Sequence, residues 1–138
     1  MLEIYDWSGK GFEPLVFTDK WQAALLNWEP LFDRVNLDEI ERHNHSDEVF
    51  VLLRGQAVLF TRLEGGKLQA LEMAAGKIYN VPAGVWHNIV ATRDVSFLIV
   101  ENRDTHLRDT EIRPISADEL AQLDAQLPAW ASLKRPGC

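Results

Sequence analysis

Three of the four histidines stand beside strand-and-turn signals that could gather them around carboxylates. The first cluster is Glu41-Arg42-His43-Asn44-His45-Ser46-Asp47-Glu48. In an extended chain, residues two apart share a face, so Glu41, His43 and His45 can line one wall. In a helix His43 and His45 would point in nearly opposite directions. Ser46-Asp47 is a turn signal, and a hairpin there can return Glu48 to the wall that carries His43. The second cluster runs from Gly76 to His87. A strand enters Pro82-Ala83-Gly84, and His87 opens the strand that returns; Pro82 presets a turn dihedral and Gly84 accepts a positive φ. If both hairpins belong to one closed sheet, His87 faces His43 across the interior. Imidazole nitrogens with carboxylate oxygens suit a borderline divalent metal such as Mn, Fe, Ni, Co, Cu or Zn. A lone strand histidine is more often a hydrogen-bonded core or surface residue, so the chemistry rests on the joint spacing.

Short runs rich in Val, Ile, Leu and Phe, each closed by Gly, Pro, Asn or charged residues, must position these side chains. Strands are predicted near Leu15–Phe17, Gln22–Asn27, Arg34–His43, Val49–Leu53, Gln56–Arg62, Leu68–Met73, Ile78–Val81, His87–Ala91 and Val95–Glu101. Such close spacing argues for an all-β sandwich or barrel rather than βαβ units. Glu48–Leu53 is apolar on both faces apart from Glu48, which predicts a covered central strand. One helix is expected over about residues 117–127, with Ser116 and Glu119 as a capping box, Leu120, Leu123 and Leu127 on one stripe, and Pro128 as the stop. It should pack on the outside of the sheet. The tail from Ala129 to Cys138 reads as loosely held, with Trp130 as its candidate anchor.

The chain has 138 residues, 46% hydrophobic and 25% charged, which fits one globular domain over 1–138. Its 14 Lys and Arg against 21 Asp and Glu give a net charge of −7, a field that disfavours nucleic acid. Cys138 is the only cysteine, which excludes an internal disulfide and zinc sites built from several thiolates. No stretch reaches the roughly 20 apolar residues of a membrane helix. The opening Met-Leu-Glu-Ile-Tyr-Asp lacks the pattern of a secretory signal, so the expected setting is soluble and cytoplasmic, without a membrane partner. Phosphate loops, dinucleotide fingerprints, Gly-x-Ser-x-Gly elbows and His-Glu-x-x-His helices are absent by pattern.

The two clusters together resemble the cupin superfamily. Gly76, Pro82, Gly84 and His87 fall at the spacing of its second motif, and Ala91 stands where that motif ends in Asn. Glu48 and Gly55 match the close of the first motif, 20 residues before Gly76. The resemblance covers residues 41–91 by motif and about residues 20–101 with the strands. It implies a single cupin-type β-barrel, a jelly-roll-like double-stranded β-helix, with an N-terminal strand extension and the C-terminal helix. It also implies a divalent transition metal on His43, Glu48 and His87. The family's first motif usually begins His-x-His, and this chain offers two registers for it. Glu41 completes the set if Glu41 and His43 occupy that pair, the register that keeps the hairpin geometry; His45 is the alternative, if His43 and His45 do, with a shortened hairpin.

Such barrels hold a small molecule inside, and the resemblance implies a homodimer. Two function classes follow: a metal-dependent enzyme acting on a sugar or organic acid, and a non-catalytic small-molecule binding or sensing module, with or without a metal. Among the remaining residues, Trp86 has strand parity opposite to His87 and is expected to pack outside the barrel or on a partner. Asn80 reads as a turn residue with an inward position as its alternative. Trp21–Trp28 reads as a sheet-packing strand. Arg103–Arg108 reads as a solvated polar loop, with Arg103 or His106 over the pocket mouth as the alternative.

Overall fold

The computed structural model describes residues 1–133, so the expectation for Cys138 lies outside the described residues. Ten strands form in these residues: β1 (Phe12–Phe17), β2 (Trp21–Asn27), β3 (Glu39–Arg42), β4 (Glu48–Arg54), β5 (Ala57–Arg62), β6 (Gln69–Glu72), β7 (Ile78–Val81), β8 (Trp86–Ala91), β9 (Ser96–Asn102) and β10 (Glu111–Pro114). Two helices, α1 (Thr105–Arg108) and α2 (Ala117–Asp124), follow β9 and β10. One five-stranded sheet has the order β1-β2-β9-β4-β7 and the other β10-β3-β8-β5-β6, and the strand pairings are antiparallel. The sheets pack face to face as a jelly-roll barrel.

Period-two alternation decides what each face buries. Ala24, Leu26, Phe50, Leu52, Phe97 and Ile99 of the first sheet meet Ala57, Leu59, Ile89 and Ala91 of the second in one apolar core. At one end of the barrel the inward residues turn polar. Gln22 stands opposite Glu101 and Glu101 opposite Glu48 in one sheet, and Glu41 stands opposite His87 in the other. A polar row therefore closes each sheet at the same end.

The second sheet is covered on both sides. Its outer residues Ile40, Val58, Phe60, Trp86 and Val90 pack with Leu123 of α2, Ile115 and Ala131. Trp86 thus lies outside the barrel, as its parity predicts, but under the helix and between the guanidinium groups of Arg42 (4.5 Å from the ring centroid) and Arg113 (4.7 Å). The doubly covered strands are β5 and β8. On β4, Val49 and Val51 are only half-buried and Leu53 is exposed, so the expectation of a covered strand at Glu48–Leu53 is corrected. The reason is that α2 covers the other sheet.

Other boundaries move for local reasons. The strand expected over Arg34–His43 shortens to β3, because Arg34–Asn36 closes a single 3-10 turn through Asn36 N–H to Asp33 O and Leu37 N–H to Arg34 O. The capping box forms as expected, with Glu119 N–H donating to Ser116 Oγ (3.1 Å) and Ser116 N–H to Glu119 Oε1 (3.0 Å). The helix stops at Asp124 instead of about residue 127, since Pro128 biases the preceding turn away from α. The tail is held through its described part: Ala131 is buried and Trp130 Nε1–H donates to Glu72 Oε1 (2.9 Å). Gln122 and Gln126 seal the edge of β6, accepting from Leu68 N–H (2.9 Å) and Ala70 N–H (3.0 Å), while Gln126 Nε2 donates to Leu68 O (3.0 Å). Among the described residues no helix is long and apolar enough to cross a membrane.

Glu119 is 2% exposed and accepts from Arg113 (2.8 and 2.9 Å) and Arg62 (3.0 Å). The Arg113 hydrogen bonds outweigh burial and hold its carboxyl down to about 2. A depressed carboxyl stabilises the fold above its unfolded value near 4.5 and loses that contribution as pH falls through about 2. Glu119→Gln is expected to lower stability by about 1–3 kcal/mol at neutral pH and to flatten the loss between about pH 5 and 2, read by urea denaturation across that range.

Candidate metal and ligand site

The polar end of the barrel gathers Glu41, His43, Glu48 and His87. One potential ligand atom from each lies within 4.8 Å of the others. The two imidazoles share one oxygen: His43 Nε2 stands 3.0 Å and His87 Nε2 2.9 Å from Glu48 Oε1, with Glu41 Oε1 3.7 Å from His87 Nε2. The ring centroids are 5.3 Å apart. Each ring is fixed from behind, since His43 Nδ1 donates to Asp109 O (2.8 Å) and His87 Nδ1 to Val85 O (3.0 Å). A carbonyl only accepts, so Nδ1 carries hydrogen in both rings and Nε2 is the atom turned to the cluster.

His43 follows β3 in a loop that distant residues shape. Asp109 accepts from Asn44 N–H and His45 N–H, both at 2.8 Å. Gly84, at φ 84°, donates its N–H to His43 O (2.6 Å), and Asp47 accepts from Ala83 N–H (2.9 Å), so the Pro82–Gly84 turn docks on the same loop. His45 is left exposed on the outer side, its carbonyl accepting from Asn102 Nδ2 (3.0 Å). Of the two sequence alternatives, Glu41 joins the cluster and His45 does not.

A cavity of about 250 Å³ opens over these residues, walled by Phe12, Phe32 and Phe50 among others. Comparison with known proteins finds relatives of this architecture. A Streptomyces protein, PAC13, solved as a point variant with uridine, superposes with TM-score 0.54 at 12% identity, over 73% of this chain and 75% of that one. The capsular polysaccharide assembling protein CapF from Staphylococcus aureus gives 0.54 at 19%, over 77% and 32%. A Bacillus subtilis oxalate decarboxylase variant gives 0.52 at 15%, over 68% and 24%. The chain has the cupin fold. It spans about a third of the CapF chain and a quarter of the decarboxylase chain. No family model matches it, and no curated protein matches its sequence.

Within this cupin barrel, Glu101 and His106, both outside the motifs, also line the cavity, and Gln22 joins them from behind. Gln22, fully buried on β2, donates through Nε2 to Glu101 Oε2 (3.0 Å) and to His106 Nδ1 (3.0 Å). His106 sits in α1, its ring 5.2 Å from that of Phe12, and lines the cavity. The solvated-loop reading of Arg103–Arg108 is therefore corrected for His106; α1 and β10 carry the chain back over the barrel mouth. Arg103 stays outside, over the Phe17 ring at 5.4 Å. Asn80 is exposed and donates to Asp47 Oδ2 (3.1 Å), as a turn residue does.

Burial opposes charge throughout the cluster, and the partners decide the outcome. Against its burial, the hydrogen bond and charge of Glu48 hold His43 up to about 9, and His87 moves upward for the same reasons. Burial pushes Glu48 up, but the two imidazoles overcome it and bring the carboxyl down to about 2. Burial and then the Glu48 charge lift Glu101 to about 8. A raised histidine stabilises the fold fully below its unfolded value near 6.5 and loses that contribution as pH rises through about 9. The chain dialysed against chelator should therefore show a falling urea midpoint from about pH 6.5 to 9, and His43→Gln should flatten that slope.

Proposed function

We propose that this chain is a metal-dependent enzyme holding one divalent transition ion on Glu41, His43, Glu48 and His87 and acting on a small polar molecule, a sugar or an organic acid, in the barrel cavity. The observation that carries the reading is the convergence of two imidazoles and two carboxylates, with both Nδ1 atoms tied to backbone carbonyls. A first-row ion bonds such atoms at about 2.0–2.2 Å, so opposed ligands stand up to about 4.4 Å apart. Ligand atoms within 4.8 Å need to close by only a few tenths of an ångström. Two oxygens and two nitrogens suit Mn, Fe, Co, Ni, Cu or Zn, with a harder preference than three imidazoles would give.

When bound, the ion supplies Lewis-acid or redox character to a ligand oxygen. The chain supplies the rest. Nδ1–H donation to Asp109 O and Val85 O keeps both Nε2 atoms aimed at the ion's position. Phe12, Phe32 and Phe50 keep water from the apolar side of the cavity. A carboxylate of Glu41 or Glu48 not engaged in coordination is the candidate general base.

A second reading, a metal-free binding or sensing module, draws support from the same cluster. Two protonated imidazoles balance the carboxylates of Glu48 and Glu41 without an ion. In both readings the chain works as one domain in the cytoplasm and as a homodimer, with exposed Phe17 and Trp21 beside the free edge of β1 as contact candidates.

Protein purified without a chelating tag should carry about one equivalent of transition metal by elemental analysis, and His87→Ala should lose it while keeping its fold. Unchanged metal in that variant overturns the ligand set. Glu41→Ala should lower occupancy strongly and His45→Ala should leave it. A stoichiometrically metal-free wild type with ligand-induced stabilisation and no turnover favours the binding module.

A further inference from the structure

We infer that Gln22, Glu101 and His106 form a ligand-recognition subsite at the polar end of the cavity, built for a hydroxyl group of an uncharged, polyhydroxylated molecule such as a monosaccharide. The inference deepens the proposed function by choosing between sugar and organic acid. It needs the cavity to be a ligand site and does not need the metal.

Glu101 is 4% exposed and lines the cavity, and its Oε1 is buried without a hydrogen-bond partner among the described residues. A buried carboxyl oxygen left unpaired is costly, and such atoms are rare unless something else completes them. Its other oxygen is fixed by Gln22 Nε2 at 3.0 Å, so the carboxyl is anchored on one side and open on the other. Gln22 is itself held, with Oε1 accepting from Asp104 N–H at 3.1 Å. An amide NH2 group donates, so His106 Nδ1 accepts at 3.0 Å and the ring hydrogen belongs to Nε2. The subsite therefore offers the N–H of His106 Nε2 and the unpaired Oε1 of Glu101, on two side chains held by the same Gln22 nitrogen through His106 Nδ1 and Glu101 Oε2. A hydroxyl group matches the pair, because it accepts from one and pairs with the other whether that carboxyl is ionised or protonated.

Charge narrows the ligand further. Glu29, Glu39, Glu41, Glu48 and Glu101 line the cavity, and among the described residues no lysine or arginine does. Apart from His43 and His87, which Glu48 already holds, and an ion bound on their cluster, an organic anion would find no cationic side chain among the described residues to pair it beside Glu101. A neutral sugar meets no such penalty, and the Phe12 ring beside His106 offers an apolar face for its C–H groups.

Isothermal titration tests this on the full-length wild type and on Glu101→Leu and His106→Ala, with metal content measured on the same samples. The probes are D-glucose, D-galactose, D-ribose and myo-inositol, set against D-gluconate, D-glucuronate and malonate. At least one neutral probe should bind, each variant should weaken it about tenfold or more, and the acids should bind more weakly than their neutral counterparts. Glu101→Leu should melt at or above the wild-type temperature, since it removes an unpaired buried carboxyl. An acid binding more tightly, unchanged affinity in Glu101→Leu and His106→Ala, or no binding of any neutral probe overturns the inference. A metal-free wild type that binds a neutral probe through Glu101 defeats the metal reading alone, and a metal-loaded chain that binds none defeats this subsite alone.

Discussion

A carboxylate removed from water must be matched by positive charge or by donors, and Glu48 sets that demand at the polar end of the barrel. It is 6% exposed, and its Oε1 receives His43 and His87 together. The desolvation of such a group costs several kcal/mol, approximately, before any partner is counted. The three side chains come from β4, β8 and the loop after β3, so the match exists only when both sheets are closed on each other. The carbonyls of Asp109 and Val85 complete it by fixing which imidazole nitrogen faces inward. Site and barrel closure are thus a single structural condition.

What was legible in the sequence was what local chemistry decides. Pro82-Ala83-Gly84 declares its turn, Gly84 takes the positive φ expected of it, and Ser116 with Glu119 marks the start of α2. Two-residue spacing put Glu41 and His43 on one wall. Hairpin length favoured Glu41 over His45, but the contact that turns the loop outward was not legible, because it comes from Asp109, 64 residues beyond His45. The Gln22–Glu101–His106 group was hidden for the same reason. Its hydrogen bonds join residues 79 and 84 positions apart, and only the β2–β9 register reveals them. Four-residue β10 carries too short an alternation to announce itself.

The two faces of β8 do different work one residue apart. His87 turns inward to Glu48, while Trp86 turns outward between Arg42 and Arg113. Arg113 also holds Glu119 of α2, so the helix, the cation–aromatic stack and the wall of the cavity form one packed assembly. Disturbance of the outer stack that shifts the β8 backbone would be felt at His87, since the two residues share that backbone.

The glutamines that seal β6 give the molecule a direction. Of the two margins of its sheet, the one at β6 has already spent main-chain groups on Gln122 and Gln126, while β10 lies at the other. Head-to-tail addition, which requires an open margin at each side of one sheet, is hindered there. Growth of a fibre through this sheet is opposed along residues 68–70, where the glutamine side chains hold the main-chain groups a further strand would need.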